Sequence, residues 1–229
     1  GAAVAPPRLL YAYPWRKSPP QDGPVDFRSL IGCDHVQLCP TDPRRLMYAH
    51  EGGYARSGEP ENTRIWCAND DGSNHRAMAP GPEKGSYYTH VVNEPAGREI
   101  YTVWGGSVAR IDVETGAFEC LYQAQKPLIA CHIGVSPDER WMVADMLGGF
   151  GMDHEGNSLG ALFLIETGTG KATFLAAFPA GSGHPRHVHP NFSPDGTRVG
   201  FTLAQGRAHA QVAWLDLSDL VGGGAATPR

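Results

Sequence analysis

The stretch His189-Pro190-Asn191-Phe192-Ser193-Pro194-Asp195-Gly196 recurs in altered form at three earlier places in the chain. In each copy a histidine stands five residues before a proline, and a turn signal follows that proline. The four copies are His35 to Pro40, His90 to Pro95, His132 to Pro137 and His189 to Pro194. Successive histidines are 55, 42 and 57 residues apart. A period of this length, with several strands in each repeat, is typical of β-propeller blades.

Short runs rich in β-branched and aromatic residues fill the rest of the chain, and few segments show a helical period. Turn signals such as Asp70-Asp71-Gly72 and Glu166-Thr167-Gly168 separate these runs. The predicted strands are Leu9–Tyr13, Leu46–Ala49, Arg64–Ala68, Glu99–Trp104, Ala109–Val113, Trp141–Ala144, Ala161–Glu166, Thr173–Phe178, Arg198–Leu203 and Gln211–Asp216. The sequence therefore predicts an all-β chain, a β-propeller of four-stranded antiparallel blades, of which about four are visible here.

The domain prediction is a single β-propeller domain over residues 1–229, or the C-terminal part of one, with blades starting near residues 35, 90, 132 and 189. Blades of this kind must close into a ring to hide their edge strands. Two alternatives follow for a chain with four blades. Either N-terminal blades of a longer protein precede this sequence, or a second copy of the chain completes the ring as a homo-oligomer.

The repeated histidines are expected to meet in space although they are far apart in sequence. The first strand of every blade lines the central channel of a propeller, so residues at one repeat position form a ring. His187 and His189 are two residues apart and point to the same face of an extended chain. His184 lies beside Pro185, where the chain can bend back. With His132 from the ring, these histidines form a candidate metal site; the alternatives are an exposed polar loop and, for His132, a backbone hydrogen bond.

Composition excludes several classes of partner. The net charge of −5 gives no basic surface for nucleic acid, and no stretch reaches the length of a membrane span. Five cysteines are scattered without a CxxC motif, which favours reduced thiols and a cytoplasmic location. An anionic ligand would need local arginines or a metal to bind it.

Several motifs together resemble the oligogalacturonate lyases. They are Asp34-His35-Val36-Gln37, His50-Glu51-Gly52-Gly53-Tyr54, Thr63-Arg64-Ile65-Trp66, Thr89-His90, His132 with Ser136-Pro137-Asp138, and His187-Val188-His189-Pro190. The resemblance covers about residues 26–216 in the same order. It implies a seven-bladed propeller that cleaves small oligogalacturonides by β-elimination with a divalent metal, usually manganese; Zn²⁺, Ni²⁺ and Fe²⁺ also suit imidazole ligands.

The resemblance also implies roles for individual residues. The metal ligands would be His132, His187 and His189, with His184 at the position where the family has a glutamine. The family's catalytic histidine and arginine fall on His90 and Arg64. His90 would remove the C5 proton of the uronide, since an unperturbed imidazole, with a pKa of roughly 6.5, is largely neutral at pH 7.

Charged side chains near these motifs are candidates for substrate binding. Arg64 suits bidentate binding of a carboxylate. Arg186 and the His50-Glu51-Gly52 motif could contact a uronate, or be an exposed arginine and a strand-end turn. His90 and His35 could instead be structural channel residues. Asp145 either orients a ligand histidine or caps a turn.

The predicted function is therefore a metal-dependent lyase acting on short uronic-acid oligosaccharides, small anionic ligands. One alternative is a non-catalytic propeller that serves as a binding or scaffold module. Another is a metal-dependent hydrolase or epimerase acting on uronates with the same fold. Trp66, Trp104, Trp141 and Trp214 are expected to pack between blades, and His75, His154 and His209 to be solvated.

Overall fold

The computed structural model describes residues 32–51, 65–78, 88–93, 96–152, 158–180, 187–205 and 209–222. The elements are β1 (Gly32–Leu38), β2 (Arg45–Glu51), β3 (Ile65–Asn69), β4 (Arg76–Ala77), β5 (Tyr88–Asn93), β6 (Glu99–Trp104), β7 (Ser107–Asp112), β8 (Phe118–Tyr122), β9 (Ile129–Val135), β10 (Trp141–Met152), β11 (Ser158–Glu166), β12 (Ala172–Pro179), β13 (Asn191–Phe192), β14 (Arg198–Gln205), β15 (His209–Asp216) and α1 (Ser218–Val221). Within the described part of the chain no helix is long and apolar enough to cross a membrane.

The strands form four antiparallel sheets in which each strand pairs with its neighbours in sequence. Blade 1 is β1–β4, blade 2 is β5–β8 and blade 3 is β9–β12, each with four strands. Blade 4 has three strands, β13–β15, among the described residues. The predicted all-β fold of four-stranded antiparallel blades is confirmed, and each sheet starts near a repeated histidine.

Some strand predictions differ from the structure for identifiable reasons. Strand β10 continues to Met152, well beyond the predicted end at Ala144. Gly148 and Gly151 have positive φ values, which the ladder accommodates in a register irregularity between Leu147 and Met152. Strand β8 was not predicted, because its five residues lie close after the turn that ends β7. The predicted strand Leu9–Tyr13 lies outside the described residues.

The core lies between neighbouring blades. Blades 1 and 2 meet through Met47, Ile65 and Cys67 on one side and Ile100 and Ile111 on the other. A second cluster joins blades 2 and 3, and a third joins blades 3 and 4. Each sheet thus buries apolar residues against the next, which is how radially repeated blades stabilise one another.

The first strands of the blades are neighbours in space. Strand β1 lies next to β5, β5 next to β9, and β9 next to β13. The repeated histidines therefore belong to one row of adjacent inner strands, as the sequence predicts.

The outward face of blade 4 exposes large apolar side chains. Val212 is 89% exposed and Trp214 is 60% exposed. The prediction that Trp214 packs between blades is wrong for the described residues, since its ring instead lies under the guanidinium of Arg198, 4.9 Å away. Trp104 and Trp141 do pack against the clusters between blades.

His75 is not simply solvated, as the sequence had suggested. Its ring stacks on Trp66 with centroids 4.8 Å apart, and its Nε2 hydrogen-bonds the hydroxyl of Tyr48. Burial lowers the pKa of His75. This histidine therefore supports the packing of blade 1, away from the repeated positions.

Candidate metal centre

The segment carrying two of the histidines is held by the residue between them. Val188 is buried in the cluster between blades 3 and 4, and its carbonyl accepts a hydrogen bond from the Thr202 N–H at 2.8 Å. Val188 points into the core, so the flanking side chains of His187 and His189 lie on its other side, where their ring centroids are 5.5 Å apart. The two histidines are half-buried and exposed, respectively.

The third histidine comes from blade 3. His132 lies in β9 and is only 5% exposed. Its partner across the ladder is Asp145 of β10, which is 1% exposed. The backbone N–H of His132 donates to Oδ1 of Asp145, and ring Nδ1 lies 2.7 Å from Oδ2. Since Nδ1 is engaged by the carboxylate, the buried Nε2 is the ring nitrogen left to bind a metal.

The three imidazoles converge although they come from two blades. One ring nitrogen from each of His132, His187 and His189 lies within 4.8 Å of the others. The ring of His132 is 4.1 Å from that of His189 and 5.0 Å from that of His187, measured between centroids. Three imidazole nitrogen donors, with one ring oriented by a buried carboxylate, fit a divalent transition metal with coordination positions left for other ligands.

Two backbone features allow this close approach. Gly134 in β9 faces the segment that carries the histidines: a Cβ at this position would lie 2.6 Å from the carbonyl oxygen of Pro190 and 3.2 Å from Cα of Asn191. His189 itself has a φ of 46°, in the left-handed region that few non-glycine residues adopt. The cluster therefore depends on packing between blades as well as on its histidines.

The remaining predicted site residues are placed only in part. His184, Arg64 and Arg186 lie outside the described residues. The backbones of His90 and His50 lie in β5 and β2, but their side chains are outside the described part. His50 pairs with Cys33 at the beginning of β1, so its strand ends at the edge of the blade where the inner strand begins.

Asp145 was left undecided between two roles by the sequence, and the structure shows it bonded to a candidate ligand. The sequence positions of the two residues already indicate that they pair. His132 and Asp145 are equidistant from the turn at Asp138 and Glu139, so a regular hairpin pairs them. An acid placed across a hairpin from a candidate ligand is thus predictable once the turn is located.

Of the cavities lined by described residues, one reaches the histidine cluster. A cleft of about 450 Å³ runs from His189 over Phe192 and Trp214 on the outward face of blade 4. Another, of about 420 Å³, is lined by Arg44, Arg45 and Arg76 at the far end of blade 1. Arg44 and Arg45 there pair with the chain's own acids, at 3.1 to 3.7 Å. The histidine cluster is the stronger candidate site.

Comparison with known proteins gives likenesses of structure alone. No family model matches the chain, and no curated protein matches it in sequence. An oligogalacturonate lyase solved in complex with manganese is 23% identical to this chain, with a TM-score of 0.61. The match covers 81% of this chain and 48% of the lyase chain. An oligogalacturonate lyase from Vibrio parahaemolyticus is 22% identical, with a TM-score of 0.61, covering 80% of this chain and 48% of its own.

A β-propeller domain of Cps50 (Swd1) from Myceliophteria thermophila is also similar, with 13% identity, a TM-score of 0.50, and 86% of this chain and 61% of that chain covered. At such identities these likenesses establish the fold, a β-propeller, and not the activity. The chain spans about half the length of the two lyases that it resembles.

Proposed function

We propose that this chain belongs to a metal-dependent lyase that cleaves short uronic-acid oligosaccharides by β-elimination. The observation that carries the proposal is the convergence of His132, His187 and His189 from two blades, with Asp145 orienting the first. The structural likeness to lyases, one of them solved with manganese, supports the same reading.

His132, His187 and His189 would hold the metal, with His184 as a fourth candidate ligand from outside the described residues. Manganese is our first choice of metal, and Zn²⁺, Ni²⁺ and Fe²⁺ are the alternatives for an imidazole site. A bound divalent cation would supply Lewis-acid stabilisation of the negative charge that develops on the substrate carboxylate. Asp145 would keep His132 in the tautomer that presents Nε2.

Cleavage then needs a base and a charge partner from the chain. His90 would accept the C5 proton; the electron pair released forms the C4–C5 double bond, and the C4–oxygen bond breaks. The leaving oxygen takes up a proton, so the products are a 4,5-unsaturated uronide and a shortened sugar. Arg64 would pair with the uronate carboxylate through two parallel hydrogen bonds, and His50 and Arg186 would contact the substrate further out.

The partners remain proposals in the same way. We propose that the ligand is a small anionic oligosaccharide and that neither nucleic acid nor a membrane is a partner. The propeller ring would be completed by further blades or by a second copy of the chain. The cytoplasmic location stays a prediction.

The decisive experiment measures ultraviolet absorbance from the unsaturated product. The purified chain is incubated with trigalacturonate and Mn²⁺, with and without a chelator, and its metal content is measured by elemental analysis. We expect metal-dependent absorbance that chelation abolishes. Saturated products would point to a hydrolase instead, and protein that takes up no transition metal would contradict the proposal.

Matched variants separate metal binding from chemistry. His189→Ala should lose both bound metal and turnover, because it removes a ligand. His90→Ala should keep the metal and lose turnover by about 100-fold or more, the scale of a general base. His209→Ala is the control, since this exposed histidine lies in β15 outside the cluster. Full activity in His90→Ala would refute the assignment of the base.

A further inference from the structure

Blade 4 differs from the other three blades at one position of its second strand. In every blade the residue two places after the repeated histidine pairs with this same position. The position holds Met47 in blade 1, Tyr101 in blade 2, Val143 in blade 3 and Gly200 in blade 4. The first three are at most 2% exposed, and each lies in the cluster that its blade shares with the next one. Blade 4 therefore lacks the side chain that the other blades use to fill the junction to the following blade.

Gly200 leaves an open floor in the middle of the sheet of blade 4. A Cβ at this position would meet no atom closer than the carbonyl oxygen of Ala213, at 4.0 Å. Glycine inside a strand weakens the strand, and it often marks a place where a ligand or another backbone approaches closely. The cleft of about 450 Å³ lies over this position and extends to His189 of the histidine cluster. The missing side chain thus makes room for a molecule beside the candidate metal.

The groups around the cleft suit a sugar acid. Trp214 is the cross-strand partner of Gly200 and is 60% exposed, so it offers a flat aromatic surface next to the open floor. The negative face of an indole attracts the weakly positive C–H groups of a sugar ring. The guanidinium of Arg198 lies 4.9 Å from the centre of this indole, and its Nε is 4.0 Å from Asp216. An ion pair that is so long and so exposed is weak, so the guanidinium can also bind the carboxylate of a ligand.

We propose that this cleft is a subsite for the uronic acid unit next to the one held at the metal. Trp214 would stack on the sugar ring of that unit, and Arg198 would pair with its carboxylate. The cleft is continuous with the metal cluster through His189, and it carries a positive charge that matches the ligand. A blade that completes the ring would add a second wall to the cleft. The inference rests on the proposed function and deepens it by naming residues that select a charged oligosaccharide.

Three variants test the cleft from different sides. Trp214→Ala removes the aromatic surface, Arg198→Gln removes the positive charge, and Gly200→Leu fills the floor. All three should fold, because the first two side chains are largely exposed and a Cβ at residue 200 meets no atom closer than 4.0 Å. In each variant we expect the KM for trigalacturonate to rise about tenfold, with a much smaller change in kcat, since the lost contact is to a unit other than the one that is deprotonated.

Phe174→Ala is the matched control for these variants. Phe174 is an aromatic residue of blade 3 that is 52% exposed and does not line the cleft, so its KM should equal that of the wild type. Manganese content should be unchanged in all four variants, because none of the four residues belongs to the histidine cluster. Light scattering during gel filtration reports whether two copies of the chain meet at this face.

The outcomes separate the subsite from the proposed function. Wild-type KM in all three cleft variants overturns the subsite and leaves the lyase intact. A wild-type chain that neither binds nor cleaves trigalacturonate overturns the proposed function, and the subsite falls with it. Loss of manganese from the cleft variants would also overturn the inference, since the cleft would then act through the metal site. A dimer that Trp214→Ala converts into monomers would show that a second copy, and not a sugar, covers this face.

Discussion

The two ends of the blades differ in how their polar groups are satisfied. The turn end, where the prolines of the repeat lie, combines local turn bonds with bonds to the next blade. Ser136 Oγ donates to Asp138 at 2.6 Å, and the Ala96 N–H of blade 2 donates to Glu139 of blade 3 at 2.9 Å. The histidine end, where β1, β5, β9 and β13 begin, instead brings a buried carboxylate and imidazole rings from two blades together. Asp145 there binds His132, and His132 meets His189 from the next blade.

This difference separates scaffold from site. A turn closed by its own serine and aspartate depends on local chemistry, and it recurs in blades 3 and 4. The histidine end carries a buried polar pair, and the ladders around it shift register in β1, β5 and β10, features that persist where function requires them. Changes at the histidine end should therefore alter metal binding, whereas similar changes at the turn end should alter only stability.

The largest effect is expected from adding a methyl group where β9 of blade 3 packs against the segment that carries His189. Gly134→Ala should destabilise the protein by about 1–3 kcal/mol, because the new Cβ meets backbone that cannot move aside. It should also weaken metal binding by displacing the segment that carries His189. Chemical denaturation and Mn²⁺ titration measure the two effects. Gly168→Ala is the matched control, since a Cβ there meets nothing within 4 Å. Equal behaviour of the two variants would contradict the proposed packing.

A change to the buried acid tests the metal site more directly. Asp145→Asn should lower metal affinity by about 10- to 100-fold, the usual effect of removing a carboxylate that orients a ligand histidine. Asp138→Asn changes an aspartate at the turn end of the same hairpin and should leave metal affinity unchanged. Competition against a chelator of known affinity gives both values. Unaltered affinity in Asp145→Asn would show that the carboxylate only supports the fold.

The smallest effect is a pH dependence at the turn end. Hydrogen bonds from Ser193 and Thr197 lower the pKa of Asp195 to about 2. The carboxylate therefore stabilises the folded state above its unfolded pKa of about 3.9, and this contribution is lost as the pH falls toward 2. Urea denaturation of wild type and Asp195→Asn between about pH 5 and pH 2.5 should show a shallower acid loss in the variant. Metal affinity at neutral pH should be the same in both, and parallel acid profiles would contradict this account.

Much of the blade pattern could be predicted because it depends on local chemistry. The period of the histidines located the four inner strands, and turn residues such as Gly72 and Gly196 marked the ends of hairpins. Strand β10 was predicted too short because glycines that break a strand locally can be accommodated by a bulge in a paired ladder. The residues around such a glycine do not show whether the strand ends there or continues through a bulge.

The sequence by itself determined which residue types recur and how far apart, and hence the all-β blades and the candidate ligands His132, His187 and His189. Only the tertiary structure decided that one ring nitrogen from each of these histidines lies within 4.8 Å of the others, that Asp145 bonds the first, and that Trp214 is exposed. The physical reason is that strand periodicity acts over a few residues, whereas the distance between two blades depends on how the apolar faces between them pack.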